Sequence, residues 1–385
     1  MSRGKIIPEA LKKGRSEIQS ELPTANEREK QVQAKYRMIV LLRELFQNKN
    51  FKANNELWLL SKHDYPMLID FEKIDVKIKI FGIFSGGNVL LELVRLIKEL
   101  RKNKPQYVHS HLPWAGIVIR FVKFFAKFKS IYTEHSQIQF YKKTTYLFNR
   151  YSYFLENKII CCSNAVQNSL PNYWKKQSIV IDNGVDLDQF YRKNDVKIWK
   201  EVSQKLKVIT VGRMRQQKMQ TRLIKAIAKI PLEIQVELLI VGGDGGEEYR
   251  LKKMVKDLNL SHRILFAGEV SDVLELLKKS HVFALSSKVE GLPIALLEAT
   301  AVGCIPLCTN VGGIPLIYEK EKNLLIKSDL SEDQIVNSFA SHLINLANKD
   351  EEELLKLSNL FSEVVKNKFD INVMRENLEN TYAQL

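Results

Sequence analysis

Short apolar runs alternate with amphipathic helical segments along most of the chain. In the first half the apolar runs predict strands at residues 56–61, 76–83, 107–111, 130–136, 158–163 and 178–186. Helical periodicity predicts helices at 89–102 and 115–128 between them. Strands alternating with helices at this spacing predict a parallel α/β sheet. A similar series from residue 206 onward predicts a second α/β unit.

The amino terminus departs from this rhythm. A helix is predicted over residues 26–47, with Val32, Ile39, Leu42 and Phe46 on one face. The apolar run before it, Ile6 and Ile7, is too short for a strand. The first strand is therefore predicted to be weak or missing.

The stretch from residue 281 to 313 carries the clearest local signals. A predicted strand delivers the chain to Glu290 and Gly291, Pro293 is expected in the first turn of a helix, and Gly303 closes that helix. A helix amino terminus after a strand, with free amides at Gly291 and Leu292, suits an anionic group. This segment predicts a ligand site at the carboxyl end of the strand.

Two cations follow the first strand of the second unit. Arg213 and Lys218 lie in the turn after the run "KVITVG". They suit a diphosphate at a strand end, although solvated surface charge is the alternative in a chain with 59 Lys and Arg. The glycine-rich turn at residues 242–247 lacks the full G-x-G-x-x-G pattern and is interpreted as a tight turn.

Glu290 and Glu298, separated by seven residues in "EGLPIALLEA", resemble the E-x7-E motif of retaining, nucleotide-sugar-dependent glycosyltransferases of the GT-B fold. The large bacterial group of family 4-like and group 1 glycosyl transferases is the most similar. The "VGG" run at 311–313 and "NGVDLDQF" at 183–190 resemble segments of the same family.

The resemblance implies two doubly wound Rossmann-like domains that face each other across a cleft. The expected division is an acceptor-side domain over residues 1–190, a nucleotide-sugar-binding domain over 191–362, and a helix over 363–385 that crosses back to the first domain. The polar run after residue 190 marks the expected boundary.

The resemblance also implies a set of site residues. No DxD-type pair or His/Cys/Asp cluster stands out in the sequence, so no metal is expected. Glu290 and His135 are the expected catalytic residues, with Glu290 near the donor sugar and His135 facing it from the first domain. His109 and His111 are interpreted as structural. The expected donor-binding residues are Arg213, Lys218, Gly291, Leu292, Glu298 and Gly313. Glu298 is expected to accept hydrogen bonds from the ribose hydroxyls.

Composition adds a charge bias. The chain of 385 residues carries a net charge of +15, which favours an anionic partner. No apolar run of about 18 residues and no apolar leader are visible, and four cysteines without metal-ligand spacing are expected to be reduced in a cytoplasmic protein.

Two aromatic segments add a membrane expectation. The first, at 117–128, has Arg120, Lys123 and Lys127 interleaved, and the second lies at 140–154. They predict peripheral contact with an anionic surface on the inner face of the plasma membrane, against the alternative of an ordinary sheet-covering helix.

We therefore predict a transferase that moves a sugar from a nucleotide-diphosphate sugar to a saccharide or lipid-linked acceptor, in cell-surface polysaccharide or lipopolysaccharide synthesis. Two alternatives stay open at this point. The weak first strand permits a nucleotide-sugar-binding protein without catalysis. The charge permits a nucleic-acid-associated protein, although scattered basic residues and the lack of a recognised module disfavour it.

Overall fold

The computed structural model describes residues 55–60, 76–84, 88–191, 205–270 and 272–385. The predicted helix at 26–47 and the doubtful first strand lie outside these residues. Every strand pair in the described part of the chain is parallel, which confirms the α/β prediction.

The first half of the chain forms two groups of strands. Among the described residues, β1 (Leu57–Leu59) and β2 (Ile78–Ile80) form a two-stranded sheet, and a second sheet has four strands in the order β3-β4-β5-β6. The four strands are β3 (Tyr107–His111), β4 (Lys129–Glu134), β5 (Lys158–Cys161) and β6 (Ser178–Val180). The helices of this half are α1 (Val89–Asn103), α2 (Pro113–Val122), α3 (Lys143–Ser152), α4 (Asn164–Ser169), α5 (Asn172–Gln177) and α6 (Leu187–Phe190).

The second half forms one six-stranded parallel sheet in the order β12-β11-β10-β7-β8-β9. Its strands are β7 (Leu206–Val211), β8 (Val236–Val241), β9 (Ile264–Gly268), β10 (Val282–Leu285), β11 (Ile305–Thr309) and β12 (Leu325–Ile326). The helices are α7 (Gln220–Lys229), α8 (Glu248–Asp257), α9 (Leu274–Lys278), α10 (Ile294–Val302), α11 (Glu332–Ala347), α12 (Glu351–Lys368) and α13 (Ile371–Ala383). The strand order reverses between β7 and β10. Such a switch point opens a crevice at the carboxyl ends of the strands.

Helix α10 is buried along its whole length, as its largely apolar sequence "IALLEATAV" requires. It ends at Gly303, whose φ of 102° is the left-handed conformation that glycine adopts most readily. The carbonyl of Pro293 accepts the first helical bonds, from the amides of Leu296 and Leu297. Pro293 is thus the N-cap residue, one position before the first turn in which it was expected.

The terminal helix α13 packs against the first-half sheet. Ile371, Met374, Leu378 and Tyr382 share one apolar cluster with strand residues of the first half, including Ile131 of β4. The crossover helix expected from the sequence is present, but it begins at Ile371, because residues 363–368 of the expected range belong to the end of α12. The stated domain limits stay a prediction, because most of the expected linker lies outside the described residues.

Most predicted strands are longer than the observed ones, because the predicted runs include polar residues beyond the hydrogen-bonded core of each strand. The aromatic helix predicted over 115–128 ends at Val122. Within the described part of the chain, no helix combines the length and apolarity needed to cross a bilayer.

Two of the three cations expected on the aromatic surface face the interior instead. Arg120 is fully buried and pairs with Glu156 at 2.6 Å. Lys123 donates to the Leu155 carbonyl and to Asn157. The expectation that Arg120 and Lys123 are surface charges was therefore wrong. Arg120 lies on the side of α2 that packs on the sheet and on α3, and Lys123, directly after α2, is half-buried and hydrogen-bonded to the protein. Lys127 is exposed, as expected.

Candidate active site

The predicted ligand residues of the second half converge on the switch point of its sheet. Arg213 and Lys218 follow β7, and Glu290 follows β10, its neighbour in the sheet. Because parallel strands end at the same edge, the order of the strands brings these side chains to one crevice. The sequence predicts the turn after β7 and the turn after β10 separately, whereas the order of the strands in the sheet makes these two turns neighbours.

Lys218 and Glu290 form an ion pair in the crevice. Lys218 Nζ lies 2.6 Å from Glu290 Oε1. The Ser287 hydroxyl donates to the same oxygen at 2.5 Å. Both charged side chains are largely shielded, at 18% and 10% exposure, so their attraction is stronger than that of a surface pair. The pair orients the Glu290 carboxylate and places a cation beside it.

Arg213 supplies the second cation. Burial, with Arg215 nearby, lowers the pKa of its guanidinium below the usual value, although the group remains protonated at neutral pH. Its Nε is buried and has no hydrogen-bond partner among the described residues. A buried guanidinium donor without a partner is costly, and an anionic ligand in the crevice would satisfy it.

Glu298 lies in the second turn of α10 and is 5% exposed. A buried carboxylate needs hydrogen-bond or ion-pair partners that compensate for its lost hydration. The helix fixes the place of this side chain, whereas Glu290 is carried by the loop before α10. The two carboxylates of the motif therefore belong to two different elements, and a movement of the loop can shift Glu290 while Glu298 stays in place.

The loop after β11 packs directly onto the loop that carries Glu290. Gly312 has a φ of 60°, and a Cβ there would lie 2.3 Å from the Glu290 carbonyl oxygen. The Gly313 amide donates to the Gly291 carbonyl at 2.6 Å. This explains the "VGG" run: two loops meet backbone to backbone, where a side chain has no room. A direct contact between the Gly313 amide and a donor would require breaking this bond.

The first half of the chain closes the crevice from the other side. A Cβ at Gly291 would lie 2.4 Å from the His135 carbonyl oxygen and 2.9 Å from Cys162 Sγ. Asn183 Nδ2 donates to the Leu292 carbonyl at 2.8 Å. Burial raises the pKa of the Cys162 thiol to about 12, and a hydrogen bond with the Leu292 backbone partly opposes this rise. The Leu292 backbone is therefore committed to the junction between the two halves.

His135 follows β4 and lies in a group of three histidines. His135 Nε2 is 3.0 Å from His111 Nδ1, and the His109 and His111 rings stack with centroids 4.3 Å apart. Burial lowers the pKa of His135 to about 4 and that of His109 to about 3. Burial and the neighbouring rings also hold the pKa of His111 well below its usual value. All three rings are uncharged at neutral pH.

Glu134, the neighbour of His135 in sequence, points into the core. Tyr153 donates to its carboxylate at 2.7 Å, and Tyr132 and Tyr141 also donate to it. Burial raises the pKa of this carboxyl group, and the tyrosine hydrogen bonds oppose the rise. This carboxylate anchors the end of β4 and does not face the crevice as a nucleophile.

Sequence reasoning missed three contributors to the site. Ser287 orients Glu290, Asn183 ties the two halves together, and His111 bonds to His135. The "HSH" run at the end of β3 was the available signal for His111, but two histidines at a strand end do not reveal their partner. Among the described residues, no group of three His, Cys, Asp or Glu side chains has the arrangement of a metal site.

Two family models match successive parts of the chain. The model of Glycosyltransferase Family 4 matches residues 59–189, and the model of Glycosyl transferases group 1 matches residues 192–357. The chain belongs to the GT-B glycosyltransferases. This confirms the family expected from the two glutamates and establishes that the protein is a transferase enzyme.

Named relatives are glycosyltransferases with different substrates. The chain is 28% identical to UDP-Gal:alpha-D-GlcNAc-diphosphoundecaprenol alpha-1,3-galactosyltransferase of Escherichia coli, over 84% of this chain and 86% of that protein. It is 34% identical to N-acetyl-alpha-D-glucosaminyl L-malate synthase of Bacillus anthracis, but over only 36% of each chain.

Solved structures show the same fold. The crystal structure of Anabaena HepE in complex with UDP superposes with a TM-score of 0.76 at 18% identity, covering 92% of this chain and 98% of that one. The lipopolysaccharide outer core galactosyltransferase WaaB superposes with a TM-score of 0.65 at 15% identity, covering 90% and 96%. These likenesses confirm the GT-B architecture.

Proposed function

We propose that this glycosyltransferase is a retaining enzyme that moves a sugar from a nucleotide-diphosphate sugar to a saccharide or lipid-linked acceptor. The observation that carries the proposal is the ion pair between Lys218 and Glu290 at the switch point. Arg213 follows β7 at the same edge of the sheet, and Glu298 lies on α10, directly after the loop that carries Glu290. Two cations match the charge of a diphosphate, and carboxylates match the hydroxyls of sugar and ribose.

Arg213 and Lys218 hold the diphosphate in this proposal. A diphosphate oxygen accepts a hydrogen bond from the buried Arg213 Nε, which has no partner among the described residues. Lys218 bridges Glu290 and a phosphate oxygen, so the cation stabilises negative charge as the leaving group departs. Glu298 accepts hydrogen bonds from the ribose, which sets the distance between nucleotide and sugar.

Glu290 and His135 contact the donor sugar from opposite sides of the cleft. The bond between the anomeric carbon and the phosphate oxygen breaks, and the nucleoside diphosphate leaves with the electron pair. The acceptor oxygen bonds to the same face of that carbon, and its proton passes to the departing phosphate. Glu290 stabilises the positive charge that develops on the sugar. Closure of the two halves excludes water from this step.

The proposed chemistry is tested with a panel of sugar nucleotides. Thermal shift identifies the donor that stabilises the protein, and NMR of the transfer product then reports the anomeric configuration. Ligand at about a hundredfold over Kd adds about 2.7 kcal/mol to the unfolding free energy, which a melt detects. An axial product from an axial donor supports retention. An inverted product contradicts the retaining mechanism.

An exposed aromatic surface on the first half is the proposed membrane contact. We define it by Trp114, Phe121, Phe124, Phe148, Tyr151 and Phe154, which are 45–70% exposed. Trp114 and Phe148 are 6.0 Å apart between ring centroids, so the surface joins α2 to α3. Exposed lysines at 127, 142 and 143 lie in the same segments. Aromatic rings next to cations match an anionic lipid surface.

Co-sedimentation with vesicles tests the membrane proposal. Binding to vesicles that contain about a fifth phosphatidylglycerol is expected to exceed binding to neutral phosphatidylcholine vesicles. The double variant Phe124→Ser and Phe154→Ser should lose most of this binding. Tyr249→Ser is the matched control, since Tyr249 is 82% exposed on the second half. Equal loss in both variants, or none in either, contradicts the proposed surface.

A further inference from the structure

We infer that His111 is a positioning residue that holds the His135 ring in one orientation and one tautomer for sugar transfer. The inference rests on the proposed role of His135 at the donor sugar. It concerns a residue that the sequence pattern alone marks as structural, and it follows from how the two rings meet.

The two rings are bonded through specific nitrogens. His111 Nδ1 and His135 Nε2 are 3.0 Å apart, with ring centroids at 5.3 Å and planes inclined by 30°. Each uncharged imidazole carries one N–H and one acceptor nitrogen. One ring therefore donates across this contact and the other accepts.

This bond couples the two tautomers. If His111 Nδ1 donates, His135 Nε2 accepts, and the His135 proton must lie on Nδ1. If His111 Nδ1 accepts, His135 Nε2 donates, and its Nδ1 becomes an acceptor for a sugar hydroxyl. In either case the role of His111 Nδ1 in this bond determines whether His135 Nδ1 is a hydrogen-bond donor or an acceptor for a ligand. The low pKa values of both rings keep them in this uncharged, coupled state near neutral pH.

The His111 ring is itself held in place. It stacks on His109, whose Nδ1 lies 2.7 Å from the Tyr382 hydroxyl and whose Nε2 lies 2.6 Å from Thr133 Oγ1. Tyr382 belongs to α13, the helix that crosses back from the second half. The contacts from His135 through His111 and His109 to Tyr382 therefore make the orientation of the His135 ring depend on the packing of the terminal helix.

Three variants of His111 and one control test the inference. His111→Asn places an amide near the position of Nδ1 and can keep the bond to His135. His111→Gln places the amide one carbon further out, and His111→Phe keeps a ring without the nitrogen. His262→Phe is the control, since His262 is exposed on the second half.

The first readout is the nitrogen spectrum of ¹⁵N-labelled histidine side chains at neutral pH. We expect His135 to show one protonated and one unprotonated ring nitrogen in the parent protein and in His111→Asn. In His111→Phe and His111→Gln the two signals should move towards averaged values. This readout requires no ligand and distinguishes positioning from general stability.

The second readout is the release of nucleoside diphosphate from the sugar nucleotide selected in the donor panel. His111→Phe should lower kcat about tenfold, the effect of one lost hydrogen bond, with KM for the donor changed less than about threefold. His111→Asn should stay within about threefold of the parent kcat. A parent-like spectrum and kcat in His111→Phe, or equal losses in the Asn and Gln variants, would overturn the inference.

His135→Ala separates this inference from the function proposed above. If His135→Ala lowers kcat while His111→Phe does not, only the positioning role is overturned. If His135→Ala leaves kcat unchanged, the role of His135 fails, and the positioning role falls with it.

Discussion

Gly291 is the point where one added methyl group should uncouple the two halves. The new Cβ would lie 2.4 Å from the His135 carbonyl oxygen, whereas ordinary contacts begin at 3.4 Å. The Glu290 loop and the end of β4 must therefore separate by about 1 Å. A misplacement of about 1 Å at reacting groups costs on the order of a hundredfold in rate. We expect Gly291→Ala to lower kcat by about that factor.

The assay compares kcat with the affinity for nucleoside diphosphate. Glu298 and Arg213 do not depend on the displaced contact, so Kd for the nucleotide should change less than about fivefold. Gly246→Ala is the control, because its methyl group meets nothing within 4 Å and adds only the strain of a φ of 102°. A Gly291→Ala enzyme with kcat within about threefold of the parent would show that the contact between Gly291 and His135 does not position the reacting groups.

Three further predictions concern charge. Lys218→Met should weaken nucleoside diphosphate binding about 10- to 100-fold, because it removes a charged partner of both Glu290 and the phosphate. Calorimetric titration measures this affinity, and an unchanged value would exclude Lys218 from the site. Histidines of the unfolded chain bind protons near pH 6.5, but the buried rings of His111 and His135 in the folded protein do not. The unfolding free energy should therefore fall as pH drops from about 7 to about 5. Denaturation curves whose unfolding free energy does not change over this pH range would contradict the burial of the two rings. Arg120→Met leaves the buried Glu156 carboxylate unpaired and should cost about 3–5 kcal/mol of stability in a denaturant titration, whereas Lys278→Met at an exposed pair should cost less than about 1 kcal/mol.

The fold was predictable because its signals are local. The hydrophobic period of the chain predicts the strands and helices and the parallel alternation between them. The conformational preference of glycine predicts that α10 ends at Gly303. The lengths of strands were overestimated, because pairing depends on neighbours that a single run does not specify. Arg120 illustrates the same limit: its charge suggested a solvated face, and only the packing of α2 on α3 shows the buried pair with Glu156.

The candidate site was predictable as a set of residues and not as a set of contacts. Motif and turn position predict Glu290, Lys218 and Arg213 as site residues, and the sheet order brings them to one edge of the sheet. The bond between His111 and His135 joins the ends of two strands 24 residues apart. No spacing rule in the sequence specifies which nitrogen faces which, so this part of the site had to come from the structure.

The most direct test of the account is the binding of nucleoside diphosphate to the parent protein and to Glu298→Ala, measured by calorimetric titration with UDP and the other nucleoside diphosphates. We predict that the parent protein binds at least one of them and that Glu298→Ala weakens this binding at least about tenfold, with its melting curve otherwise retained. Equal affinity in the two proteins would contradict the assignment of the crevice between β7 and β10 as the donor site.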